Sequence, residues 1–357
     1  MASASLRSCA ACCAGASVDR LLSLNFVLPS RSAGRAKSRL KLRILGGDSG
    51  AARSVARSSR VPCMFLQLGD LSARARLGLT SAAQEGETRD ALAARVDREV
   101  ERFRARRRGM AKGLERIRVA MDDALRTDGM EHVDDPSFPE EEKVRIVRRL
   151  HDLNVRMLAY PRFLHAILPL VGREGGRSHS RVLELASGSG ELAFALEKQA
   201  NARGLALEIT GSDYQPAYVR MANEESARRE SRVRFEEINA YDMARVPTGA
   251  YDVVLVAQSL HHFSPGALAK MIVESRRVAR RAFVGIDVRR SLSVFPFGIG
   301  VAALMGGRAF VHDSVLTMRK VYSEAELAFV AELAAPQSRI RVRPLHPGYS
   351  MLTVHFS

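Results

Sequence analysis

The chain has 357 residues, 46% of them hydrophobic and 6% aromatic, with no tryptophan and a net charge of +16. That length allows one large domain or two small ones, and the apolar fraction suffices for a sizeable core. The charge alone would suggest nucleic acid or an anionic surface, but residues 1–109 hold 21 Lys and Arg against 9 Asp and Glu, a net of +12, leaving only +4 for the rest. A basic nucleic-acid-binding body is therefore not favoured.

Residues 1–70 are rich in Ala, Ser and Arg, with only Asp19, Asp48 and Asp70 acidic. A leader without a stable core is expected over residues 1–87. It reads as an organellar transit peptide, a disordered tail, or sequence upstream of a true start near Met110 or Met121. Arg outnumbers Lys 48 to 7, as in a GC-rich coding sequence. The expected location is cytoplasmic, or an organelle if residues 1–70 are a transit peptide. Cys9, Cys12, Cys13 and Cys63 are the four cysteines. They lack a second cluster at ligand spacing, so no metal site is expected. No apolar run reaches 18 residues, so no membrane span is expected.

A helical extension is expected over residues 88–172. Leu92, Val96, Val100 and Phe103 recur at helical spacing. The arginine run from Arg104 to Arg108 reads as a solvated helix end. A second helix runs through Leu114, Ile117, Val119 and Ala120, and Asp134-Asp135-Pro136 with Phe138-Pro139 breaks it. Glu140 to Val171 is again helical, with Val144, Val147, Leu150, Leu153, Met157 and Leu158 as its apolar face and an interruption at Pro161. The polar, Gly-rich loop Gly172–Ser180 marks a domain boundary.

Strands and helices then alternate over residues 181–357. Strands are expected at Arg181–Ala186, Ala206–Ser212, Val233–Asn239, Asp252–Ala257 and Arg281–Asp287, with helices at Glu191–Arg203, Pro216–Glu225 and Pro265–Val278. Ser264 and Pro265 supply the N-cap and first residue of the last helix. Residues 292–306 are apolar and Gly-rich, suiting a lid or a buried helix. Ser323 with Glu326 forms a capping box for a helix to about Ala335. Arg339–Arg343 and Tyr349–Phe356 read as a closing strand pair. The alternation argues for a doubly wound α/β sheet.

The first strand breaks at Gly188-Ser189-Gly190 and re-enters a helix at Glu191. Such a turn brings backbone N–H groups to a ligand. Asp213, 23 residues beyond Gly190, ends the next strand, where a carboxylate accepts both ribose hydroxyls. Both features serve nicotinamide and other nucleoside cofactors alike. Glu184 discriminates, since a dinucleotide-binding strand usually has an apolar residue there.

The run Val182-Leu-Glu-Leu-Ala-Ser-Gly-Ser-Gly190 resembles motif I of the class I S-adenosylmethionine-dependent methyltransferases. Ile209–Asp213, Phe235–Asp242 and Tyr251–Phe263, the last ending Leu-His-His-Phe, resemble the second, third and fourth motifs. Leu150–Arg156 resembles the N-terminal helix of a bacterial group in that family. The resemblance implies a Rossmann-like sandwich with a seven-stranded, mostly parallel sheet and S-adenosylmethionine as cofactor. It implies that Ala186, Gly188 and Gly190 line the cofactor turn, and that Glu184 acts near the methionine ammonium. Asp213 would hold the ribose, with Tyr214 beside the adenine. Asn239 and Ala240 stand where many members have Asp-Ala. Asn239 can still bond the adenine edge, and Asp242 competes for that role. Gln258 would face the cofactor mouth. His262, and less so His261, are candidate bases.

The expected reaction is methyl transfer to a small, partly apolar molecule, with oxygen favoured over carbon or nitrogen. A nicotinamide-dependent oxidoreductase, a nucleic-acid methyltransferase and a non-catalytic binder on the same fold remain as alternatives. Against the second, Ala257-Gln258-Ser259-Leu260 stands where Asn/Asp-Pro-Pro-aromatic is usual for exocyclic amines.

Overall fold

A computed structural model describes residues 86–171 and 179–356. The expected leader, and the Gly172–Ser178 part of the expected boundary loop, lie outside the described residues. Four helices come first: α1 (Arg89–Met110), α2 (Leu114–Ala124), α3 (Glu140–Arg156) and α4 (Ala159–Val171). Then follow β1 (His179–Leu185), α5 (Glu191–Ala202), β2 (Ala206–Asp213), α6 (Pro216–Arg228), β3 (Arg234–Glu237) and β4 (Tyr251–Ala257). A short 3-10 turn (Leu260–His262) leads to α7 (Pro265–Val278) and β5 (Ala279–Val288). The chain ends with α8 (Val294–Met305), α9 (Arg308–Lys320), α10 (Glu324–Ala334), β6 (Arg339–Leu345) and β7 (Tyr349–His355).

The seven strands form one sheet in the order β3-β2-β1-β4-β5-β7-β6. The first five are mutually parallel, whereas β7 runs antiparallel to both β5 and β6. Successive side chains of a strand point to opposite faces, and the buried strands use this to serve two cores. Leu183, Leu185, Val254 and Val256 meet α1, α7 and α10 on one face. Val182, Val253, Leu255, Val284 and Ile286 meet α4, α5 and α6 on the other. The apolar positions Leu92, Val96, Val100 and Phe103 are all buried, making α1 a layer of the sandwich.

The element ends follow local chemistry. Thr88 caps α1, accepting from the Ala91 amide. Ser264 caps α7, and Ser323 with Glu326 forms the expected capping box of α10. β1 starts earlier than the sequence suggests, because His179 pairs with Ala206 of β2. The expected break at Pro161 falls instead at Met157–Leu158, where Leu158 has a φ of 51°. Pro161 is the third residue of α4, where its missing N–H leaves no intrahelical bond unmade.

The arginine run is solvated only in part: Arg106 and Arg108 are exposed, but Arg107 is buried and Arg104 half-buried. Arg107 is 1% exposed and donates to Asp122 at 2.5 Å. Arg290 reaches the other oxygen of Asp122 at 2.6 Å. Arg104 and Arg126 converge on buried Glu326 at 2.7 and 2.9 Å. Helical spacing showed only that these arginines leave the apolar stripe; the carboxylates that bury them come from α2 and α10.

Gly190 has a φ of 76°, and a Cβ there would lie 2.3 Å from the Phe235 ring. Gly188 has a φ of 53° but faces open space. Gly190→Ala should therefore cost roughly 2–4 kcal/mol, combining overpacking with left-handed strain, and Gly188→Ala only about 1. Urea denaturation of both variants checks the order; equal losses would remove Phe235 from the explanation.

Candidate active site

The carboxyl ends of β1, β2, β4 and β5 open into a cavity of about 1180 Å³. A ligand crevice at this edge is what a doubly wound sheet provides, because loops diverge where the strand order reverses. Ala186 and Gln258, just past β1 and β4, line it with φ of 51° and 59°. A left-handed conformation in a residue with a Cβ stores strain, and such strain concentrates at functional sites. Helices α3, α8 and α9 and the segment between α2 and α3 cover the crevice. The apolar face expected on α3 turns out half-buried because Val147, Leu150, Leu153 and Met157 form a cavity wall.

On the β1–β2 side, Glu184 is 3% exposed and lines the cavity. Its Oε2 has no hydrogen-bond partner among the described residues. Burial pushes the Glu184 carboxyl up to about 8, and the nearby charge of Asp213 adds to this against a bond from the Ala193 amide. A buried, unpartnered carboxylate oxygen beside a cavity fits a cationic ligand group. Asp213 accepts from the Gly188 amide at 3.0 Å and the Gln215 amide at 2.9 Å. Burial nevertheless raises its pKa above the usual carboxylate range. Tyr214, Asn239 and Ala240 complete this side, and the Asn239 side chain accepts from the Tyr241 amide at 3.2 Å.

Helix α3 reaches the same end. The side-chain amides of Asn154 and Gln258 exchange two hydrogen bonds, at 2.7 and 3.0 Å. Nearby, His151 lies 3.1 Å from the Tyr160 hydroxyl and 3.6 Å from the Glu191 carboxylate. His151 and Asn154 were missed individually in the sequence, although their segment, Leu150–Arg156, stood out; Tyr160 of α4 lies outside it.

On the β4–β5 side, the two histidines divide. His261 is buried, with Nδ1 2.9 Å from Asp287 and Nε2 3.6 Å from Glu131. Burial would depress its pKa, but the two carboxylates outweigh burial and push it up to about 10. An imidazole raised in this way favours its protonated form, so of the two histidines His262 is the better placed to accept a proton. His262 Nδ1 lies 2.7 Å from Asp134, leaving Nε2 without a partner among the described residues. Both rings line the cavity, their centroids 4.2 Å apart. Asp134 and Glu131 come from the segment between α2 and α3, where the sequence signalled only a helix break.

Two further candidates fall outside the lining. Gly190 packs against Phe235, as described, and does not face the cavity. The Asp242 side chain is 62% exposed and lies 3.7 Å from Arg89. It turns away because Asn239 and Asp242 pair across a tight turn, leaving the carboxylate on the outer side. Ala186, Gly188 and Gln258 line the cavity.

The Glu184 shift has a measurable sign. The folded protein holds a proton that an unfolded carboxyl releases near 4.5. Its contribution to stability is therefore full below about 4.5 and is lost as pH rises to about 8. In urea denaturation, Glu184→Gln should lose less stability than the parent between pH 5 and pH 8; His261, common to both, cancels. An equal loss would mean Glu184 is ionised in the folded state.

Residues 182–282 match the family described as Methyltransferase domain. Over 114 residues the chain is 30% identical to the demethylmenaquinone methyltransferase of Thermus thermophilus, covering 32% of this chain and 50% of that protein. The chain thus spans about half the length of the curated relative it matches. Among solved structures, a SAM-dependent methyltransferase from Aquifex aeolicus is 19% identical, with 54% of this chain and 89% of that one covered and a TM-score of 0.41. The plantazolicin methyltransferase BamL, solved with a substrate analog and SAH, is 12% identical, with 66% and 97% covered and a TM-score of 0.48. The family match runs from β1 into β5, so residues 182–282 of the α/β body are similar to a methyltransferase domain, with Glu184 and Asp213 near the ends of two of its strands.

Proposed function

We propose that the protein transfers a methyl group from S-adenosylmethionine to a small, partly apolar acceptor, with oxygen as the favoured atom. The observation that carries this reading is one cavity holding the unpartnered Glu184 carboxylate at one side and the His262–Asp134 pair at the other. S-adenosylmethionine supplies, when bound, a methyl group on a sulfonium with a good leaving group. Glu184 is the residue suited to its ammonium, Asp213 to its ribose hydroxyls, and Tyr214 and Asn239 to its adenine.

The remaining work falls to the acceptor side. Asp134 accepts from His262 Nδ1–H and so leaves Nε2 free to take a proton from an acceptor hydroxyl. Ile146, Leu150, Leu153, Val301 and Phe310 give that side an apolar wall, which excludes water and orients a hydrophobic acceptor. Carbon methylation is the second reading, supported by the relative named demethylmenaquinone methyltransferase. The same base serves an acidic ring carbon.

Two measurements test this. In calorimetry, S-adenosylhomocysteine should bind and NADH should not, and Asp213→Ala should weaken binding at least about tenfold by removing a bidentate charged acceptor. Binding of NADH alone would sink the methyltransferase reading. With radiolabelled methyl donor and a panel of phenols and hydroxyquinones, His262→Gln should lower turnover about 10²–10⁴-fold while leaving S-adenosylhomocysteine affinity unchanged. Undiminished turnover would remove His262 as the base.

A further inference from the structure

From Ser291 to Gly307 the chain contains no charged residue. Helix α8 lies within this run and has two apolar faces with different surroundings. Val294, Gly298 and Val301 line the cavity, while Ala302 packs with Ile146 and Phe310. Among the described residues nothing covers the opposite face. Pro296, Gly300, Ala303 and Leu304 are exposed, and Phe297 stands 57% exposed at the cavity rim. Leu304 is 89% exposed. An apolar face of this kind on a soluble surface marks an interaction site. At 12 residues, about 18 Å, α8 cannot cross a hydrocarbon core of about 30 Å. It suits the boundary between headgroups and acyl chains.

Charge complementarity selects the partner. At the carboxyl end of α8, Arg149 donates to the Gly306 carbonyl at 2.8 Å, and exposed Arg308 opens α9. Neither has a carboxylate within 4.0 Å among the described residues. A protein partner for an apolar helix need not be anionic, whereas a bilayer with acidic headgroups satisfies the apolar face and the guanidinium groups at once.

We propose that α8 is a lipid-surface docking element, its outer face set shallowly into an anionic bilayer with Arg308 and Arg149 at the headgroup phosphates. The inner face then opens the acceptor cavity toward the lipid. The corollary that the acceptor is a lipid-dissolved molecule rests on the methyl-transfer reading; the docking itself does not.

The absence of native tryptophan makes a single reporter available. The full chain carrying Leu304→Trp is titrated with vesicles of equal phosphatidylcholine and phosphatidylglycerol. The expected result is a blue-shifted emission shielded from aqueous iodide. In the otherwise native chain, Leu304→Glu should weaken sedimentation with these vesicles at least about tenfold while S-adenosylhomocysteine binding is kept. Vesicle binding with an unchanged tryptophan signal would overturn the proposal, assigning attachment to the basic N-terminal residues. So would a blue shift present without vesicles: concentration-dependent for a second copy of the chain, concentration-independent for cover by the chain itself. Lipid docking without S-adenosylhomocysteine binding would keep this proposal and defeat the methyl-transfer reading.

Discussion

The reversal of winding at β1 is the constraint on which the structure depends. From β1 the chain moves through α5 and α6 to β2 and β3 on one side, then returns to lay β4 and β5 on the other. The connections leaving β1 and β4 must part, and a crevice opens between them. Ala186 and Gln258 adopt left-handed backbone as each strand turns out of that crevice. Glu184 is carried into it by strand alternation alone, on the same face as Val182. The functional geometry is in this sense a consequence of topology, with side chains chosen to suit it.

What closes the crevice is held largely by charge. Asp122 receives Arg107 and Arg290, Glu326 receives Arg104 and Arg126, and His261 bridges Glu131 to Asp287. Buried ion pairs contribute little net stability against a hydrophobic replacement, but losing one partner leaves a costly charge behind. Their value here is register. Apolar helices can slide across a sheet edge, whereas these guanidinium and carboxylate groups match in one arrangement, the one that brings Asp134 to His262.

The α/β body was legible because its signals are local. Alternating strand and helix patterns, the Gly188 turn, Glu184 and Asp213 all lie within short runs whose spacing carries the chemistry. The acceptor side was not legible for the opposite reason. His262 and Asp134 are 128 residues apart, and Asp134 sits in a stretch whose only visible property is that it breaks a helix. Arg107 gave the same difficulty: no periodicity distinguishes a solvated arginine from one awaiting a carboxylate on another helix. Gly190 was read as a ligand approach, and the sequence held no sign that the Phe235 ring also requires glycine there.

The place of β7 has a consequence for assembly. β7 follows β6 in the chain but lies inside it in the sheet, between β5 and β6. Among the described strands β6 pairs only with β7, so it has no other edge to join. The two can form a hairpin locally and dock on β5, pairing Ala282–Val288 with Tyr349–His355. Until that hairpin arrives, β5 remains an open edge. During synthesis the cofactor side of the crevice can be complete while the neighbouring edge still has a free row of backbone donors and acceptors, the interval in which such a chain is most prone to pair with another copy of itself.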